Sequence, residues 1–571
     1  MTLLALLAVA AVLSVYLFAR EVRGPDGKRA DKNTYSFLEG RVDVDSPQEA
    51  VANSNIATNF QLLSVYPNIV FGMLGNFAVP IINALSYAVG SILLQWRAPH
   101  FKSLIEYNDN TLHGFIARTH GVPRLKKYTT LISLGVFGAV VAFEVVFLAR
   151  ILSVLVGGNQ ITYYTFVFFL VTFLSAAVYF GGQRTSFFAD NFHLFFAYIG
   201  IHACLAELLG IIGGGISSDS ILLIIGIITS IMIAFRIKFL FIPTATARTR
   251  TLNMLIAASA TYLLVRILLT VHVDGYLYLQ DAHQKWMSSF SVSTGTQIAM
   301  ILAAICPAIF ANFVDFSFWH RLRALTQNSS ANDQKSASEK QLKTGLFLFI
   351  VESPLTWVLP LVIGSLAIIA FPVAKDILTN GTGDPVAAVV QQILHAPGIV
   401  TRAVGLLLVI GLVSVAVSTV DSYLASLSYL YAKDMARPDR TESQNVSSGR
   451  VFQIFVGLVV VFFFVILDIF IQKTDLLIAL FLTIFAPLAA LSPAAVWPLL
   501  SGRRYKPSAT GTLFLVLSCV GSGILGLAIG ILAVISEATP NSMLYWLPIP
   551  IAFTCSWSMY LVFLLMAKEE K

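Results

Sequence analysis

Charge is what this chain has least of. Only 12% of its 571 residues are Asp, Glu, Lys or Arg, about half of the roughly 25% that a soluble domain carries. Hydrophobic residues make up 57%, and the mean hydropathy is +0.79, so a soluble fold of one or several domains is excluded. Polar–apolar alternation is also missing. The apolar runs are continuous and helix-length, which excludes a transmembrane β-barrel. Cysteine is scarce: Cys204, Cys306, Cys519 and Cys555 all lie in apolar stretches, with no metal-ligand spacing between any two, and read as small packing residues. Long polar stretches are absent too. The largest span 21–53, 97–127, 326–343 and 433–450, and none could house a soluble catalytic domain. No metal-ligand cluster and no nucleophile–base pair emerges, which disfavours a membrane enzyme.

What remains is membrane helix. At about 20 residues per crossing, spans are expected at 2–19, 50–71, 75–95, 128–156, 162–181, 188–211, 219–241, 251–273, 292–319, 344–371, 402–432, 451–472, 474–500, 510–536 and 543–566. The fold class is therefore all-α, a polytopic membrane protein with about 15 transmembrane helices. The first apolar run lacks a basic start, since Arg20 follows it, and reads as a retained helix rather than a signal peptide. With the N-terminus outside and the C-terminus cytoplasmic, 31 of the 37 basic residues fall in cytoplasmic loops or at the C-terminus, and only four in outer loops. That asymmetry is the one a bilayer imposes. It accounts for the net charge of +7 without nucleic acid, and it makes the lipid bilayer the first partner. The setting is a plasma or inner membrane. Asn380-Gly381-Thr382, in an outer loop, fits a glycosylation acceptor.

Ionisable groups inside spans are costly and mark function. They are Glu144, Arg150, Asp190, Glu207, Arg266, Asp315, Glu352, Asp421 and Asp468. One stretch stands out. Ser418, Asp421 and Ser422 fall at i, i+3 and i+4 and share a helix face, with Thr419 beside them. Hydroxyl and carboxylate oxygens suit a hard cation, although Ser and Thr in helices also bond back to their own backbone. A second feature is the polar opening of the span at 50–71, with Asn53, Ser54, Asn55, Thr58 and Asn59. Such an opening suits a broken helix whose freed carbonyls coordinate an ion or solute, or an ordinary interfacial cap. A third is the end of 292–319, where Asn312 and Asp315 lie about one turn apart among aromatics that include Phe316.

With these segments in view, the chain resembles the sodium:solute symporter family, which holds sodium–glucose, proline, pantothenate and sialic acid transporters. SVAVSTVDSYLASLSYLYAKDM at 414–435 resembles the family's eighth core helix. YSFLEGR at 35–41 and SNIA at 54–57 resemble the approach to the first core helix and its interior. HGFIARTHGVPRLKKY at 113–128 resembles the loop before the third, and Gly181-Gly182 with Ala189-Asp190 the start of the fifth. The resemblance covers roughly residues 35–510. It implies a LeuT-like 5+5 inverted repeat, with an N-terminal helix and linker at 1–49, a first repeat at 50–211, an extra helix pair and outer loop at 212–291, a second repeat at 292–500 and two C-terminal helices at 501–571. The extra pair is not part of the usual family pattern.

By the same resemblance, a Na+ site would use the carbonyls of Asn53, Ile56 and Val415 with the side chains of Ser418 and Thr419. A second cation site would use Asp190, Ser418, Asp421 and Ser422, with Asp421 standing where some members have a hydroxyl. The solute would lie among Asn55, Asn59, Phe60, Asn312, Asp315 and Phe316. A sugar is disfavoured, because Asn59, Phe60 and Ile350 fall where sugar transporters carry other polar residues and a lysine. The segment 315–321 is more similar to the urea-transporting branch, which points toward a cationic or amide-bearing solute. The implied function is Na+-coupled symport of a small polar solute by alternating access, with Na+ as coupling ion and no prosthetic group. H+ coupling, or a solute sensor without net transport, are the alternatives.

Overall fold

A computed structural model describes residues 12, 47–73, 78–106, 111–212, 220–240, 247–271, 293–327, 334–371, 384–435, 440–470 and 474–570. In chain order these form α1 (Pro47–Asn59), α2 (Leu62–Met73), α3 (Ala78–Glu106), α4 (Leu112–Thr119), α5 (Pro123–Val156), α6 (Gln160–Ile212), α7 (Ser220–Leu240), α8 (Ala247–Val271), α9 (Thr294–Val314) and α10 (Phe316–Gln327). They continue with α11 (Gln334–Ala370), α12 (Pro385–His395), α13 (Ile399–Leu430), α14 (Glu442–Phe470), α15 (Thr474–Ala490), α16 (Ser492–Ser501), α17 (Ala509–Val516), α18 (Ser522–Ile535), α19 (Met543–Trp546) and α20 (Pro548–Met566). A short antiparallel pair, β1 (Arg504–Lys506) and β2 (Lys568–Glu570), ties the two ends of the C-terminal helices. The expected span at 2–19 (save Val12), the segment 35–41 and the acceptor at 380–382 lie outside the described residues.

Helix dominates because lipid offers the backbone no hydrogen-bond partners. Among the described residues, twelve helices are long and apolar enough to cross a bilayer, and the chain is a multi-pass membrane protein. Burial separates the inner helices from the outer ones. The span containing α13 is 78% buried by protein, whereas that of α14 is 33% buried and turns Leu458 and Phe462 outward. The hydroxyl-bearing helix is thus one of the inner helices of the bundle. It packs most extensively on α6 and also on α5 and α1.

Three stretches expected as single spans are each two helices. The stretch at 50–71 breaks at Phe60–Gln61, directly after Asn59, the last of the asparagines that open it. There the backbone N–H groups of Leu62 and Leu63 donate to the Glu144 carboxylate at 2.9 and 2.7 Å. A buried carboxylate thereby caps the exposed N-terminus of α2, where the helix dipole favours negative charge. The stretch at 292–319 breaks at Asp315, which is extended at φ −76° and ψ 102°. Its Oδ1 accepts from the N–H groups of Ser317 and Phe318 at 2.8 and 3.3 Å and so caps α10. The stretch at 474–500 breaks before Pro493, which sits in the first turn of α16 and has no N–H to continue the ladder. The spans expected at 162–181 and 188–211 are two helices within α6, Gln160–Phe180 and Thr185–Ile212, which meet at Gly182 with φ +62°, a backbone state that glycine alone adopts readily.

Helices cross closely where glycines allow it. A Cβ on Gly72 of α2 would meet the Leu361 carbonyl oxygen of α11 at 1.9 Å, and one on Gly364 would meet that of Ile69 at the same distance. The second half of the first broken helix is therefore locked against α11.

Candidate functional site

The oxygen-rich face of α13 meets α6 and α1 deep in the bundle. Asp190 of α6 is fully buried. Its carboxylate accepts hydrogen bonds from Ser418 Oγ of α13 and Ser54 Oγ of α1, each at 2.5 Å, and from Ser422 Oγ at 3.2 Å. Asp421, also fully buried, accepts from Ser186 Oγ at 3.1 Å, and Ser186 Oγ lies 2.9 Å from Ser422 Oγ. His193 completes the group: Asp190, His193 and Asp421 each offer one ligand atom, all within 4.8 Å of one another. Two adjacent carboxylates without bulk water repel one another and are relieved by a bound cation. The donor set, mostly hydroxyl and carboxylate oxygen, is that of a hard cation.

The structure brings together Asp190, Ser418, Asp421 and Ser422 of the expected residues, but not the others in the same way. Thr419 Oγ1 donates to the Val415 carbonyl at 3.1 Å, and the Ile56 carbonyl accepts the Phe60 N–H at 2.9 Å. The Asn53 side chain turns away, donating to Asn191 Oδ1 at 2.8 Å and accepting from Arg236 at 3.0 Å. Ser54 was expected only as part of the polar helix opening, and Ser186 and His193 were missed. The signal for the last two lies in the numbering, since Ser186, Asp190 and His193 fall at i−4, i and i+3 on one face.

Beside this cluster lies a cavity into which both helix breaks open. Asn59, Gln61 and Leu63 line it from the first break, and Val314, Asp315 and Phe318 from the second. Asn55, Tyr87, Tyr423 and Arg321 also face it. Asn59 is held by Ser353 Oγ and Thr356 Oγ1 at 2.8 and 2.9 Å. Asp315 Oδ2 meets the Tyr423 hydroxyl at 3.4 Å. Asn55, Asn59 and Asp315 are thus the expected solute residues on the cavity wall. Phe60 packs edge-on against Tyr198, Phe316 against Phe137, and Asn312 donates to Ser91 Oγ at 2.6 Å. These three support the walls from behind.

The two regions share elements. Ser54 reaches the carboxylate cluster, and the next residue, Asn55, faces the cavity and accepts from Arg321 Nη1 at 3.1 Å. On α13, Ser422 touches Asp190, and the next residue, Tyr423, touches Asp315. The cluster and the cavity wall are therefore one residue apart on each of two helices.

A second buried charge network flanks the site. Arg236 of α7 forms a two-point pair with Glu352 of α11, Nε to Oε1 at 2.7 Å and Nη2 to Oε2 at 2.5 Å. Its Nη1 donates to Asn53 and Asn253, and the Tyr198 hydroxyl donates to Glu352 at 3.0 Å. Arg236 lies near the inner end of the span expected at 219–241, and Arg321 just beyond that at 292–319. They are 0% and 1% exposed, because each finds its partners from sequence-distant helices. Outside the spans, α4 rests His113 near Phe316, and the neighbouring His120 bonds to the Tyr560 hydroxyl at 2.8 Å. Burial pushes the two imidazoles down to about 3 and about 4.

No family model and no curated protein matches the sequence. Among solved structures, the fold is similar to a Na+-coupled sialic acid symporter in a substrate-bound outward-open state, described as revealing a novel Na+ site. The TM-score is 0.52 at 15% identity, over 100% of this chain and 98% of that one. At that identity the likeness is one of fold.

Proposed function

We propose that the chain is a secondary active transporter, a Na+-coupled symporter of a small polar solute that works by alternating access. The observation that carries this reading is the carboxylate–hydroxyl cluster of Asp190, Asp421, Ser54, Ser186, Ser418 and Ser422, joined through Ser54–Asn55 to a cavity between two broken helices. Na+ at the cluster would draw α1, α6 and α13 together, and its loss would release them. Stretches 50–211 and 292–500 would form the two inverted repeats, each opening with a broken helix, with 212–291 as an added pair. The charge distribution along the sequence supports an outside N-terminus.

Energetically, one charge crossing about 100 mV releases about 2.3 kcal/mol. A tenfold Na+ gradient adds about 1.4 kcal/mol, so one ion supports solute accumulation of roughly several hundred-fold. His193 beside the two carboxylates favours a second reading in which H+ takes the place of Na+.

The test is current measured on proteoliposomes challenged with organic acids, amino acids and amides. A solute-evoked current that needs Na+ and vanishes in Asp190→Asn is expected. A current driven by a pH gradient without Na+ would shift the reading to H+. Solute binding without current would make the protein a sensor and overturn the transport reading.

A further inference from the structure

We infer that the transported solute carries a carboxylate, and that Arg321 is the residue that reads it. This rests on the transporter reading above and names the solute class for the same cavity. Arg321 faces the cavity from α10 and is 1% exposed. A guanidinium offers five N–H donors. Here Nη1 is used by Asn55, whereas Nε and Nη2 have no hydrogen-bond partner. Those two nitrogens share one edge of the planar group, and that edge presents two parallel N–H bonds matched to the two oxygens of a carboxylate.

The charges around it decide against an internal partner. Asp190 and Asp315 lie within electrostatic reach of Arg321. However, among the described residues neither comes within 4.0 Å of the guanidinium to pair with it. Each is engaged elsewhere: Asp190 with three serine hydroxyls, Asp315 with the first turn of α10. The carboxylate on the cavity wall is thus committed to capping a helix, while the guanidinium beside it keeps a buried edge without a partner. That reverses the expectation of a cationic solute. A buried guanidinium edge without a partner is costly, and a solute carboxylate satisfies both N–H groups at once. Asn68 Nδ2, Trp357 Nε1 and Asn83 Oδ1 also line the cavity without partners and suit the hydroxyl or amide groups on the rest of such a solute. Because Arg321 also holds Asn55, one residue from the Ser54–Asp190 bond, carboxylate binding would be felt at the cation cluster.

The experiment is a thermal-shift titration of the purified full-length chain in NaCl with matched pairs: lactate and lactamide, proline and prolinamide, N-acetylneuraminate and its methyl ester. At least one acid should raise Tm at a concentration where its carboxylate-free partner does not. Proline binding with lactate inert would assign a zwitterion, and lactate or N-acetylneuraminate binding a simple anion. Arg321→Gln should raise the half-saturating concentration of that acid about tenfold or more, with Arg321→Lys in between. Arg321→Gln should elute on gel filtration as the wild type does, which shows the fold intact; if that variant fails to fold, Arg321→Lys against wild type is the comparison. The inference is overturned if no acid outperforms its neutral partner, or if substitution of Arg321 leaves acid affinity unchanged. Absence of any Na+-induced shift in the wild type would instead count against Na+ coupling and leave the carboxylate result standing on its own.

Discussion

Arg236→Met removes the cation that ties α7 to α11. Both side chains of the Arg236–Glu352 pair are 0% exposed, so neither is screened by solvent. After the substitution Glu352 keeps only the Tyr198 hydroxyl, and Asn53 and Asn253 lose a donor. Breaking a buried pair in this way costs about 3–5 kcal/mol, because the remaining charge stays out of water. Glu352→Leu leaves the guanidinium stranded and should cost a similar amount. The double variant, with an apolar pair in place of the ionic one, should fall well short of the sum, with a coupling of about 2–3 kcal/mol. SDS-induced unfolding of the purified protein, followed by tryptophan fluorescence, gives the three values. Additive losses, or a silent Arg236→Met, would refute the claim that α7 is locked to α11 through this contact.

Glu144→Ala should destabilise by about 1–3 kcal/mol for each of the two α2 amides it orphans, while Glu144→Gln recovers part of the loss; unfolding midpoints check both. Gly72→Val places a side chain where a Cβ already lies 1.9 Å from a carbonyl oxygen, so the variant should be recovered in folded form far less than Ala84→Gly, scored by gel-filtration yield. His120 and His113 stay neutral in the fold down to about pH 4 and about 3, whereas an unfolded histidine protonates near 6.5. The unfolded state therefore binds more protons below pH 6.5. Stability should fall as pH drops from about 6.5 towards 4, by up to about 1.4 kcal/mol per unit for each group. A Tm that is flat over that range, or unaltered in slope by His120→Gln, would count against buried neutral imidazoles.

Much of this architecture is written locally. Continuous apolar runs set the helices, and the spacing of Ser418, Asp421 and Ser422 placed them on one face before any partner was known. The polar opening near Asn53 suited either a broken helix or an interfacial cap, and only the structure decides for the break; the break at Asp315 was not expected, because a lone aspartate among apolar residues does not show that it caps the next helix. What was hidden depends on distant partners. The first break falls at Phe60–Gln61 because Glu144, more than eighty residues away in sequence, takes the amides of Leu62 and Leu63. Arg236 and Arg321 look like loop charges in the sequence, since nothing nearby betrays Glu352 or Asn55 as their partners. That the Ser54 side chain turns to Asp190 while that of Asn53 turns to Asn191 and Arg236 is a matter of helix rotation, which one polar run does not specify.

The central claim is that Asp190 and its neighbours hold the coupling cation. Equilibrium binding of radiolabelled Na+ to the purified protein tests it most directly. Saturable binding that K+ does not displace, lost in Asp190→Asn and weakened in Ser418→Ala, is the expected result. Binding that is absent from the wild type, or unchanged by Asp190→Asn, would contradict it.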